Sequence, residues 1–279
     1  MKIKILGSGG CTSLPRPCCY CDICEEAREK GEPYKRSSCS IFIEDLNLLI
    51  DTPEDISYSL NRERIRTVDR LMYSHWDPDH TLGIRIIEQL RLNWFKYFNN
   101  ERCTNPLQIS ALREVLDDIY NIENKFGSYL SYYESLNLCS TSKITEIIIG
   151  DIKISLVPIV TNIVSTAFVF ESSNSKVVYA PCDNKPLPDD SRFYDADIFI
   201  MGGFIPTTGF NGGTKLASDN KIFDAMLTLD ELKDIKNTFR INKMILTHLE
   251  EDWGLSYTDY ENLNSDDITF AYDGMTIEC

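Results

Sequence analysis

Short apolar runs, alternating with polar residues or rich in β-branched and aromatic types, punctuate the chain. They fall at Lys2–Leu6, Ser40–Glu44, Leu46–Ile50 and Leu71–Ser74, then at Asp151–Val157, Thr166–Glu171 and Lys176–Ala180. Further runs follow at Asp197–Met201, Lys243–Thr247, Ile268–Tyr272 and Met275–Ile277. Their length and period predict β-strands. Helical patterns lie between them. Thr81–Phe98 starts just past a charged turn, and Ala111–Phe126 places Leu112, Val115, Leu116, Ile119 and Ile122 on one helix face. Thr228 with Glu231 predicts a capping box that opens a helix through about Lys236. Strand-rich segments in both halves, with helices between and after them, predict two sheets packed face to face with helices outside. The Gly- and Thr-rich stretch from Gly202 to Gly213 reads as a loop, either a lid or a plain surface connection.

Composition allows one domain to fill the whole chain. Of 279 residues, 43% are hydrophobic and 25% charged, values that supply a large core and exclude wholesale disorder. Against 43 Asp and Glu stand 28 Lys and Arg, a net charge of −15, which argues against nucleic-acid binding through a basic face. No Lys or Arg follows Lys243, so the C-terminal part reads as a solvated acidic face. No run approaches the ~20 apolar residues of a membrane span. The first residues alternate like a strand and lack a signal peptide's apolar core, which predicts a cytoplasmic protein. Ten cysteines in that compartment read as thiols and metal ligands rather than disulfides.

The densest chemistry is Ser74-His75-Trp76-Asp77-Pro78-Asp79-His80, where two imidazoles and two carboxylates follow an apolar strand. Pro78 keeps the segment from continuing as a central strand. Imidazoles suit Zn, Fe and Mn, and carboxylates add charge that holds a divalent ion. Only three histidines exist, and the third, His248, ends another buried-type strand. Asp183 follows Val177-Val178-Tyr179-Ala180 in the same way. Three strand ends therefore present ligand-type residues, as an active site at a sheet edge would. A second cluster, Cys19-x-Cys21-x-x-Cys24, has Cys18 beside it. Three thiolates within six residues can wrap one tetrahedral zinc, and the bland alternative is a run of buried or reactive thiols. Cys11, Cys39, Cys103, Cys139, Cys182 and Cys279 show no ligand spacing and read as ordinary thiols. Trp76 reads as pocket lining or packing. Arg62, Arg64, Arg66 and Arg70, interleaved with Glu63 and Asp69, read as a charged surface segment by default and a phosphate grip otherwise.

His75-x-Asp77-x-Asp79-His80, then Asp183, then His248, resembles the metallo-β-lactamase fold superfamily. The family motif is His-x-His-x-Asp-His, followed by a His, a bridging Asp and a final His. Leu6-Gly7-Ser8-Gly9-Gly10, Ile50-Asp51, Tyr272-Asp273-Gly274 and the cysteine cluster narrow the resemblance to two relatives. They are the phosphoribosyl cyclic phosphate phosphodiesterases and the pyrroloquinoline quinone biosynthesis protein B, and Tyr179-Ala180-Pro181 leans toward the second. The resemblance implies a single αββα sandwich of two mixed β-sheets flanked by helices over residues 1–279, with a cysteine-rich zinc loop at about 11–39.

Two departures stand out. Asp77 replaces the second motif histidine, and the histidine expected after Asp151–Val157 falls near Thr161. By the resemblance, Asp79, His80 and His248 serve one metal, His75 and Asp77 serve an impoverished, oxygen-rich other, and Asp183 bridges. Glu251 stands where the phosphodiesterase places the fourth ligand of its structural zinc, with Asp252 and Cys18 as alternatives. The expected activity is metal-dependent hydrolysis of a small (cyclic) phosphodiester by a metal-held hydroxide. Asp79, Asp183 and His248 carry the catalysis, with Zn, Mn or Fe at the active site and Zn at the cysteines. The alternatives are a non-hydrolytic metal-dependent redox enzyme of cofactor biosynthesis and a metal-binding scaffold without turnover. The partner is a small-molecule substrate, and a homodimer is compatible with the chain.

Overall fold

A computed structural model describes residues 1–207 and 209–279. Its strands are β1 (Lys2–Gly7), β2 (Ser40–Ile43), β3 (Leu48–Ile50), β4 (Arg70–Met72) and β5 (Leu107–Ala111). A small ribbon of β6 (Glu123–Asn124) and β7 (Gly127–Ser128) precedes β8 (Cys139–Lys143). The second half holds β9 (Glu146–Ile149), β10 (Ile152–Val160), β11 (Val164–Glu171), β12 (Lys176–Ala180) and β13 (Ile198–Met201). It ends with β14 (Lys243–Leu246), β15 (Ile268–Phe270) and β16 (Thr276–Glu278). Two seven-stranded sheets result, in the orders β16-β1-β2-β3-β4-β5-β8 and β15-β14-β13-β12-β11-β10-β9. Each is mixed in the same sense: antiparallel pairing from β16 to β3 and from β9 to β12, parallel pairing from β3 to β8 and from β12 to β15.

The alternation of side chains explains the layers. Phe168, Phe170, Val177, Tyr179, Ile198, Ile200 and Ile245 turn toward the first sheet and pack in one core with Ile3, Ile5, Ile41, Ile43 and Leu71. Their neighbours Ala167, Val169, Val178, Ala180, Phe199 and Met244 turn outward, under Leu232 and Tyr260 of the helices Leu229–Thr238 and Tyr257–Leu263. Strands buried on both faces need near-continuous apolar sequence, which is what Val177–Ala180 and Ile198–Met201 supply. The expected αββα sandwich is therefore present. Among the described residues, no helix is long and apolar enough to cross a membrane.

Two expectations change, and the edge strands β8 and β9 add to the expected set. Thr81–Phe98 is not one helix: Pro78–Thr81, a 3₁₀ turn Leu82–Arg85, Ile86–Arg91 and Trp94–Phe98 are separate pieces. Gly83 forces the first break, because its N–H donates to the Thr52 carbonyl at 2.7 Å and a Cβ there would lie 2.0 Å from the Pro53 carbonyl oxygen. The second break follows from extended Leu92 and the Asn93 side chain, which caps a new helix by accepting from the Lys96 N–H. Ala111–Phe126 shrinks to Arg113–Tyr120, because Ala111 ends β5 and the small ribbon begins at Glu123. Finally, β8 and β9 are edge strands with mostly part-exposed side chains, so their sequences carry no strong strand pattern.

Candidate metal centres

All six residues expected at the active site lie at the C-terminal ends of parallel strands, where open α/β sheets place their ligands. β4 runs into Ser74-His75, and Pro78 starts the short helix that carries Asp79 and His80. β12 leads to Cys182 and Asp183, and β14 to His248. Asp51 (φ 65°), Asp183 (φ 52°) and His248 (φ 56°) hold left-handed backbone conformations, uncommon for residues with a Cβ. Such kinks turn a side chain out of the sheet's alternation and into the crevice. Close packing holds them there. Gly202, just after β13, has no room for a side chain, since a Cβ would lie 1.7 Å from the Pro181 carbonyl oxygen and 2.9 Å from the His248 Cβ.

His80 and His75 are held by their Nδ1 atoms, whereas His248 Nδ1 has a carboxylate nearby but no hydrogen bond. His80 Nδ1 meets Asp51 Oδ2 at 2.9 Å, and that carboxylate also accepts the Ser74 N–H (2.7 Å) and hydroxyl (2.6 Å). With its proton given to Asp51, the Ser74 oxygen is free to accept from His75 Nδ1, 2.9 Å away. His248 Nδ1 lies 3.2 Å from Glu250 Oε1. Glu250 is itself fixed by the Cys11 N–H at 3.1 Å, and its carboxylate fills the space a Cβ on Gly10 would need. Holding Nδ1 fixes the tautomer and leaves Nε2 with a bare lone pair. All three Nε2 atoms are buried and lack a hydrogen-bond partner. Unpartnered buried polar atoms cost free energy, so three of them converging is the mark of a cation site. The residues therefore fit a divalent metal.

Carboxylates complete the set. Asp79 Oδ2 lies 3.4 Å from His80 Nε2 and 3.3 Å from His248 Nε2. Asp77 and Asp183 approach His75 Nε2 at 3.5 and 3.9 Å. Asp79 groups with His80 and His248, and His75 with Asp77; Asp183, expected to bridge the two, joins only the His75–Asp77 group. The first is buried. In the second the two carboxylates are about one third exposed, so this half forms the mouth. Thr161 sits in the β10–β11 turn, outside both groups.

The field of these groups favours positive charge. Burial lowers the His80 pKa, but Asp51 and Asp79 outweigh it and raise it well above the ordinary value. His248 is likewise lowered by burial and raised well above its ordinary value by Cys182, Asp79 and Glu250. Burial raises Asp79, yet His248 and His80 hold it well below the carboxylate range. Burial and the Cys182 thiol push Asp183 up to about 6.

Spacing alone missed Cys182. Its sulfur and the ring nitrogens of His75 and His80 lie within 4.8 Å of one another. Burial raises this thiol, but His248, His75 and His80 lower it well below the ordinary range. Only assembly of strand ends from distant parts of the chain reveals this neighbourhood.

The cysteine cluster assembles as expected. Cys19, Cys21 and Cys24 place their sulfurs 3.7, 3.2 and 3.5 Å from Oε1 of Glu251, which is wholly buried. Arg16 takes the other oxygen, Oε2, at 3.2 Å, and its second bond goes to exposed Asp252. Three thiols converging on one buried carboxylate oxygen match the donors of a tetrahedral zinc. Glu251, rather than Asp252 or exposed Cys18, stands at the fourth position. Asn211 also reaches in, donating to Glu251 Oε1 at 2.8 Å, a contact that no spacing or motif signals. It belongs to the Gly202–Gly213 loop, so that part of the loop packs on the cluster; Thr208 lies outside the described residues. Arg62 is no phosphate grip: it pairs with buried Asp273 at 2.9 Å.

No protein-family model matches the chain, and no curated protein matches it by sequence. Solved structures do. A diphosphatase of the PhnP family shares 18% identity over 99% of this chain and 96% of its own, with a TM-score of 0.73. Zn²⁺-bound PqqB from Methylobacterium extorquens shares 16% over the full length of both, with a TM-score of 0.70. YhfI of Bacillus subtilis, a metallo-β-lactamase fold protein, shares 14% over 99% and 98%, with a TM-score of 0.63. The chain thus has the metallo-β-lactamase fold. Within that class it resembles the PhnP and PqqB branch.

Proposed function

We propose that the protein is a metal-dependent hydrolase that cleaves a phosphodiester or related phosphate-ester bond in a small molecule. The observation that carries this reading is the convergence of three buried, unpartnered imidazole nitrogens beside Asp79, under a mouth flanked by Asp77 and Asp183. His75, His80, His248, Asp79, Asp77 and Asp183 would hold the metal. When bound, a divalent ion lowers the pKa of water toward neutrality and polarises a phosphoryl oxygen. The chain's own residues do the rest. Asp51 and Ser74 fix the tautomers and ring planes of His80 and His75, and Glu250 places a carboxylate 3.2 Å from His248 Nδ1. Asp79, set between two rings, keeps His80 and His248 in one arrangement. Asp77 and Asp183 are the carboxylates within reach of a substrate, so proton transfer at the reacting oxygens falls to them. The diphosphatase neighbour supports a substrate that carries phosphoryl groups.

A second reading, a metal-dependent redox enzyme of cofactor biosynthesis, is favoured by one feature. His75 has Asp77 and Thr161 where a hydrolase of this fold would add two imidazoles, and PqqB is among the similar structures. Two assays on protein purified without added metal separate these readings. Turnover of bis-p-nitrophenyl phosphate that follows metal content supports hydrolysis. Dioxygen consumption by the iron-loaded protein with no esterase turnover overturns it. Metal content without either activity leaves a scaffold.

A further inference from the structure

We propose that Cys182 is a metal ligand that supplies a thiolate at the position shared between the two halves of the active site. This rests on the reading that the cluster holds a metal, and it changes which residue stands at the centre. Asp183 groups only with His75 and Asp77 at the mouth. Cys182 groups with His75 from that half and His80 from the buried half, with all three ligand atoms within 4.8 Å of one another.

The turn after β12 accounts for the exchange. Asp183 has φ 52°, which swings its carboxylate outward to within 3.9 Å of His75 Nε2. The residue before it faces the crevice instead. Asn184 pins this turn from the other side, donating to the carbonyls of Ala180 at 2.8 Å and Gly202 at 3.1 Å. The thiol is thus delivered by a fixed backbone beside the ring nitrogens of His75 and His80, whose buried Nε2 atoms have no hydrogen-bond partner.

Ordinary core thiols in this chain look different. Cys39 sits beside the hydroxyls of Tyr179 and Thr247, and Cys139 packs among apolar residues of the core. Among the described residues, Cys182 alone of the cysteines outside the Cys19–Cys24 cluster belongs to a group of potential metal ligands.

The chemistry that follows is specific. On binding, the sulfur loses its proton to solvent as the sulfur–metal bond forms, so one negative charge is added to the centre. A thiolate is a soft ligand that favours Zn, Co or Fe over Mn and Mg. An oxygen-rich mouth suited to Mn, the expectation from Asp77 and Asp183 alone, gives way to a borderline-soft centre.

Cobalt(II) is the probe, added to protein whose cysteine cluster keeps its zinc, with zinc and cobalt content measured on the same sample. X-ray absorption at the cobalt edge then counts neighbours. One sulfur among the nitrogen and oxygen neighbours is expected, replaced by oxygen in Cys182→Asp while cobalt content is retained. Bound cobalt with nitrogen and oxygen neighbours only overturns the proposal and leaves the metal-centre reading standing. Failure of cobalt to bind beside the zinc removes both. Should Cys182→Asp not fold, the sulfur count of the unmodified protein decides alone.

Discussion

Asp51 and His80 meet with Oδ2 and Nδ1 2.9 Å apart, both wholly buried, across 29 residues of chain. Their geometry is fixed before any ligand arrives, because the Ser74 N–H and hydroxyl hold the same carboxylate. Outer partners of this kind typically contribute about 10–100-fold in metal affinity. Asp51→Asn should therefore weaken metal binding by that order with the fold intact, as read by competition with a chromophoric chelator. Unchanged affinity would show that His80 needs no orienting partner.

The cysteine cluster should be structural. Glu251 and the three sulfurs tie the N-terminal loop to the segment after β14. Cys21→Ser should remove one zinc per chain and lower the thermal midpoint, with the active-site ion weakened only as a consequence. Zinc analysis and a melting curve test this. Rapid reaction of Cys19, Cys21 and Cys24 with a thiol reagent in native, metal-replete protein would refute it.

The active-site metals should be unequal. The buried half offers His80, His248 and Asp79, while the mouth offers one imidazole, His75, and carboxylates about one third exposed. One tightly held ion is expected, and a second that is partial and exchangeable. The double change Asp77→His with Thr161→His should tighten the second. Element-specific anomalous scattering from crystals grown without added metal measures both occupancies. Two full, identical zinc ions in the unmodified protein would contradict the expectation.

A separate pH effect belongs to Asp55, which accepts the Ser38 N–H at 3.1 Å. Burial raises its pKa from 3.8 to about 6. The folded state then binds more protons than the unfolded chain between those values, so stability falls as pH rises through that window and stays lower above it. The raised pKa costs on the order of 3 kcal/mol at neutral pH. Asp55→Asn should stabilise the protein at pH 7 and flatten the slope between the two values. Urea unfolding across pH 4 to 7 is the measurement, and an unaltered slope would exclude Asp55 as its source.

Much of the site was legible because its residues sit at the ends of strongly apolar strands. His75, Asp77, Asp79 and His80 share one local motif, and Asp183 and His248 each follow a buried run. Cys182, Glu250 and Asn211 were not legible as partners. Cys182 and Asn211 lie beside groups that are close only after the sheets form, and no spacing encodes that; Glu250 is only two residues from His248, but spacing does not say which way its side chain turns. The sheets divided in the same way: two-face burial marks β12, β13 and β14, whereas β8 and β9 lie at edges where a polar sequence is tolerated. The continuous apolar pattern of Thr81–Phe98 concealed its breaks, because the close approach of Gly83 to Thr52 and Pro53 is a tertiary contact.

His248, Glu250 and Glu251 lie within four consecutive residues, the first two serving the active site and the third the cysteine cluster. Leu249 between them is clamped by its N–H to the Ser8 carbonyl (2.9 Å) and by its own carbonyl to the Gly10 N–H (3.2 Å). Substitution can exchange one ligand for another at any of these places. Insertion or deletion cannot be absorbed there: one extra residue would leave every donor atom in the chain yet pull the two ion sites out of step, and both would empty together.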